Sequence, residues 1–237
     1  MRREFHAVVL LLLGGVLLRL TITGEYVNYV RSGLAPVLLA AAAVLLLVAG
    51  ATLWRAFGGS ETRDHHAHGH GRFDVAWLLL LPVLGLLITA PPALGSYSAS
   101  RSGTVLGTAQ PERRLPPLPD GDPVRLSILE YASRAVVDDG RSLADRHLTM
   151  SGFLLPGADG GWYLARLVVV CCAADARPVK IGLTGILPDG LHANDWLQVT
   201  GRFAPDTERD PVNGEPIPYL QVAAANPIPV PAEPYAS

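Results

Sequence analysis

Cysteine and charge are scarce in this chain, and each scarcity rules something out. Two cysteines in 237 residues leave no second pair for a closed four-cysteine zinc site. They are adjacent, Cys171-Cys172, so the Cys-x-x-Cys spacing of a thiol oxidoreductase is missing. A nucleophile elbow, a phosphate-binding glycine loop and an HExxH motif are absent too, and no enzymatic activity is expected. Charged residues make up 17% of the chain and the formal net charge is −2. Affinity for nucleic acid normally needs a clustered basic face, so no nucleic-acid partner is expected.

What the chain has in abundance is apolar sequence, gathered into blocks. A membrane-spanning helix needs about 20 such residues. Three blocks approach that length, roughly Phe5 to Ile22, Leu34 to Trp54 and Phe73 to Leu94. Pro82 in the third is tolerated, because neighbouring helices satisfy the carbonyl groups it frees. Met1-Arg2-Arg3 before the first block also suits a signal peptide, but Thr21-Ile22-Thr23-Gly24-Glu25 offers no small-x-small cleavage site. Retention as a helix is expected. Arg2, Arg3, Arg55, Arg63 and Arg72 fall on one side of the three spans, against Arg31 and Arg101 near the other. Positive residues stay inside, which predicts a multi-pass membrane protein. Its N-terminus is then cytoplasmic and everything after residue 95 extracytoplasmic, with membrane lipid as an obligatory partner.

Composition divides the chain into three. Residues 1–95 form the transmembrane region, with a His-rich loop at 64–71. Residues 96–123, rich in proline and serine, read as a flexible linker that buries too little apolar surface to offset its ordering entropy. Residues 124–237 read as a compact extracytoplasmic domain. There Leu126, Leu129, Ala132 and Val136 recur at helical spacing. Five strands are predicted after that helix: Arg146–Leu155, Trp162–Val170, Val179–Thr184, Trp196–Phe203 and Pro218–Ala224. The phrases Leu148–Phe153 and Leu197–Phe203 echo one another and each carries a glycine, which suits sharply bent barrel strands. The fold class expected is three N-terminal transmembrane α-helices followed by a small all-β, OB-like barrel with one flanking helix.

Two groups have the chemistry of metal ligands. His65, His66, His68 and His70 lie between the second and third blocks, where imidazoles suit zinc and other borderline cations. The alternative for them is a solvated low-complexity loop. Cys171 and Cys172 follow the apolar run Leu167–Val170 and precede Asp175. Consecutive Cα atoms lie about 3.8 Å apart, whereas a relaxed disulfide wants roughly 4.4–6.8 Å, so an internal bridge is disfavoured. In a strand the two thiols point to opposite faces and pack. In a turn both converge with Asp175 on one soft cation, zinc among them, with His147 or His192 available to complete the set. An intermolecular bond is the third option. The acidic loop Asp206–Asp210 takes a solvated or turn role by default.

These residues carry a family resemblance. The strings Arg166–Ala176 and Asp195–Gly201, the closing Pro231–Tyr235 and the order of the blocks resemble the YcgQ-like bacterial proteins, described as one subunit of a two-component membrane permease complex. The resemblance implies the bacterial inner membrane as location, a larger multi-helix permease subunit as partner and an association with metal homeostasis. It marks Cys171, Cys172 and Asp175 as a signature and assigns no catalytic residues. The expected function is a membrane-anchored accessory subunit whose β domain binds a partner or a metal. The alternative is a zinc or other transition-metal binding or delivery protein that uses the histidine loop, the cysteines or both.

Overall fold

The computed structural model describes residues 2–57, 85, 92–106, 115–157 and 160–236. They belong to two compact units, Met1–Pro92 and Ala93–Ser237. The His-rich loop 64–71 and nearly all of the third apolar block lie outside the described residues.

In the first unit, α1 (Arg2–Thr23) and α2 (Ala35–Phe57) pack against each other. Gly24, at φ 79°, reverses the chain after α1, in the left-handed conformation that glycine adopts without a Cβ clash. The buried side chains of the pair are small: Ala7, Val16, Ala42 and Ala49. A Cβ on Gly14 would lie 2.9 Å from Leu46 Cγ. Small residues let two apolar helices approach closely. Ile22, Leu47 and Trp54 are exposed, a surface that hydrocarbon accommodates and water does not. The stretches His6–Thr23 and Ser32–Arg55 are long and apolar enough to cross a bilayer.

The second unit is a five-stranded barrel with helices. After α3 (Ser96–Arg101) and β1 (Val124–Arg125) comes α4 (Ile128–Val137), then β2 (Leu148–Pro156), β3 (Trp162–Val168), β4 (Arg177–Gly185), β5 (Trp196–Arg209) and β6 (Pro216–Pro227). The strands run β2-β3-β4-β6-β5, and β5 pairs back onto β2. Only β4 and β6 run parallel within the ring, while β1 lies parallel beside β2. Closure leaves no long free sheet edge.

All five predicted strands form. The two echoing phrases prove to be neighbours, with Leu148 opposite Gly201 and Gly152 opposite Leu197. A Cβ at Gly152 would lie 2.6 Å from Ala165 O and one at Gly201 2.2 Å from Gln221 O. Both glycines therefore admit a neighbouring backbone. The register slips between Thr200 and Gly201, which marks the bend. Inside the barrel, Leu148, Leu164, Ile181, Leu197 and Leu220 form one buried cluster with Ile128 and Tyr131 of α4. That helix starts at Ser127, whose side chain accepts from Glu130 N at 3.1 Å, satisfying an otherwise orphaned N–H.

Two sequence expectations need correction. The segment 96–123 is not a tether throughout. Ser96 N donates to Asn194 Oδ1 at 2.6 Å, Ala99 is buried against Phe153 and Trp196, and Val105 N donates to Pro178 O at 2.7 Å. Polar partners on the barrel, which composition cannot reveal, hold this proline- and serine-rich stretch. The second correction concerns Asp206–Asp210, which is solvated in part but is not a loop throughout: Asp206, Thr207 and Arg209 are exposed. β5 extends through Arg209, and Asp210 is buried. At the other end, Ala236 N donates to Leu167 O at 2.8 Å and Leu94 N to the Tyr235 hydroxyl at 3.0 Å.

Candidate metal centre

Strand β3 ends at Val168, and the chain leaves the sheet before β4 begins at Arg177. Between them Cys172 caps a 3-10 turn, Ala173–Asp175. The turn is built around one carboxylate. Asp175 Oδ1 accepts from Val170 N at 2.8 Å, and Oδ2 accepts from Cys171 N at 2.9 Å and Cys172 N at 3.2 Å. Cys171 Sγ also donates to Oδ2, at 2.8 Å. Three successive backbone N–H groups thus face one anion, an arrangement that orients the chain without any apolar burial.

The electrostatics follow directly. The hydrogen bond from Cys171, with those from Val170 and Cys171 N–H, holds the Asp175 carboxyl well below the usual carboxylate range. The same bond works the other way on the thiol. Asp175 as acceptor, reinforced by the Cys172 side chain and slight desolvation, pushes Cys171 up to about 11. Cys171 is exposed and Cys172 half-buried, and both are free thiols. Cys171 is therefore protonated at neutral pH, a poor nucleophile until a cation displaces its proton.

The two sulfurs and one Asp175 oxygen lie within 4.8 Å of one another. Of the alternatives left open by sequence, the turn geometry is the one formed. His147 and His192 do not join this group. His147 Nδ1 sits 3.0 Å from Asp122 Oδ1 and its Nε2 3.0 Å from Arg202 Nη2, while His192 Nδ1 lies 3.7 Å from Asp195 Oδ2. His65, His66, His68 and His70 lie outside the described residues. Two thiols and a carboxylate are a donor set that fits zinc or a softer cation. Three ligands from one exposed turn leave a coordination position open.

Sequence reasoning passed over a second polar centre. Lys180 Nζ and Asp210 Oδ2 are 2.8 Å apart, with side chains 3% and 0% exposed. Lys180 Nζ also donates to Ser102 O at 2.9 Å, and Asp210 Oδ2 accepts from Thr104 N at 2.7 Å. Burial alone would raise the Asp210 pKa, but Lys180 and the N–H groups of Val212 and Thr104 outweigh it and hold the carboxyl below its ordinary value. One signal was available: Lys180 is the only lysine in the chain, and it sits inside a strand. Buried charges survive only when paired and hydrogen-bonded.

Comparison with known families places both units. The DUF1980 N-terminal domain matches residues 5–104, and the DUF1980 C-terminal domain matches residues 134–236. The chain belongs to the DUF1980 family. Neither a curated protein nor a solved structure matches it. The N-terminal DUF1980 match runs past the structural break at Pro92–Ala93 and takes in α3 and Thr104. The C-terminal match contains the whole barrel and the cysteine turn.

Proposed function

We propose that this DUF1980 protein is a membrane-anchored metal-binding protein, whose barrel domain holds a thiophilic divalent cation on the turn Cys171–Asp175. The observation that carries this reading is the convergence of two sulfurs and a carboxylate oxygen within 4.8 Å. Zinc is the reference ion, since it accepts both thiolate and carboxylate ligands. The turn is preorganised by Asp175, exposed at Cys171 and short of a full ligand set, which suits an ion received and passed on. Ligation requires the thiol protons to leave. With Cys171 raised to about 11, affinity rises with pH throughout the neutral range. The barrel's strand order, with its single parallel contact between β4 and β6, supports reading the scaffold as OB-like.

The apolar helices α1 and α2 favour a second, compatible reading, an accessory subunit of a multi-helix permease that offers the cation to its partner. In that arrangement the N-terminus is cytoplasmic, the barrel is extracytoplasmic and a third span precedes it. The His-rich loop then binds cations independently, on the opposite side of the bilayer.

Zinc titration of the full chain tests the first reading. The wild type is expected to lose one equivalent on Cys171→Ser/Cys172→Ser substitution, and a deletion of His65–His70 is expected to leave that equivalent in place. Unchanged stoichiometry in the cysteine variant would sink the proposed site.

A further inference from the structure

Strand β2 has two partners in succession along one edge. β1 pairs with it at Leu148 and Thr149, and β3 takes over only at Phe153. Between them, Met150–Gly152 have β5 on one side and, among the described residues, no strand on the other. Alternation decides which peptide groups face that gap. Leu154 exchanges backbone hydrogen bonds with Asn194 and Asp195 on the β5 side, whereas Thr149 O accepts from Leu126 N on the opposite side. Odd-numbered residues of β2 thus turn their N–H and C=O away from β5, and Ser151 turns its pair into the break.

A cleft of about 390 Å³ opens there, within the size range of small-ligand sites. Arg125 and Arg166 line it together with Ser151 and Gln198, over a floor that includes Met150, and no carboxylate is among the lining side chains. The Arg125 side chain makes no hydrogen bond or ion pair among the described residues. Arg166 is anchored, since its Nε donates to Pro234 O at 3.3 Å, its Nη2 donates to Glu233 O, and its guanidinium lies 5.6 Å from the Trp196 ring centroid. Its Nη1 keeps its donors for something else. Burial lowers the Arg166 pKa and the neighbouring Glu233 only partly opposes this, so the cation is short of negative charge. A fixed guanidinium fork, a free one and a strand-edge N–H form a donor set with no acceptor of matching charge.

We propose that this cleft binds a small oxyanion, a carboxylate or a phosphate, held between Arg125 and Arg166 with Ser151 donating from the strand edge. The site is distinct from the cysteine turn and does not depend on the metal reading. Isothermal titration of the full chain in detergent with succinate and, separately, inorganic phosphate tests it. Saturable binding of either is expected, weakening as salt is added, and the better ligand assigns the source as carboxylate or phosphate. Arg125→Gln, at an exposed position, is expected to keep the wild-type melting temperature and to lose about tenfold or more in affinity. Arg166→Lys, which keeps the charge but loses the fork, is expected to weaken binding as well. No saturable binding of either anion up to about 10 mM would overturn the proposal. So would an affinity unchanged by Arg125→Gln.

Discussion

Asp175 does two jobs at once on the cysteine turn. Its carboxylate accepts three backbone N–H groups and the Cys171 thiol. Because its pKa is depressed when folded, its support for the turn is present above the ordinary carboxylate value and is lost as pH falls below it. The thiol responds in the opposite sense. Replacing Asp175 with Asn, in a Cys172→Ser background, is expected to lower the raised Cys171 pKa toward its ordinary value of 9.0, since the charged acceptor that favours the protonated sulfur is gone. Alkylation of Cys171 by iodoacetamide, followed against pH, would then accelerate at lower pH in the variant. A profile that does not move would mean that Asp175 does not hold the proton. Residue by residue, the site was half legible. The pair and its carboxylate stood out in the sequence, but whether they share a turn or alternate across a strand depends on where β3 lets go of β4. The run Val168-Val169-Val170 gives no local signal for that.

At the scale of elements, the barrel rests on glycines where two backbones nearly touch. Gly201→Ala places a Cβ 2.2 Å from the carbonyl oxygen of Gln221, a backbone atom that cannot rotate aside. The substitution is expected to destabilise the barrel domain by about 1–3 kcal/mol. Gly161→Ala, where a Cβ meets nothing within 4 Å, is expected to be nearly neutral. Denaturant unfolding followed by tryptophan fluorescence compares them, and equal midpoints would show that β6 moves aside at little cost. The strands themselves were readable because alternation and turn residues are local properties. Their far ends were not, because Thr207–Arg209 is polar and enters β5 only by pairing with Pro216–Pro218 of β6. Asp210 was misread for a similar reason. Its partner Lys180 is 30 residues away, and no spacing rule links them.

For the whole molecule, the decisive boundary is where the second unit begins. Composition puts it near residue 124, whereas the structure puts it at Ala93. A fragment 93–237 keeps Thr104 N on Asp210, Ser102 O on Lys180 and Asn194 on Ser96. A fragment 124–237 strips Asp210 and Lys180 of the first two and Asn194 of the third, at a cost of about 1–3 kcal/mol for each buried group left unsatisfied. The longer fragment is expected to unfold at clearly higher denaturant, and coincident transitions would return the segment to the role of a tether.

The spacing of the two thiols also suits arsenic. Trivalent arsenic bonds two sulfurs at once, and Cys171 and Cys172 present two on a single turn with Cys171 open to solvent. Cys171 is open to a small arsenical in the folded protein, with the half-buried Cys172 beside it. A molecule arranged this way would fall among the early targets of arsenite exposure, and a phenylarsine resin would retain it through a chelate that neither thiol makes alone.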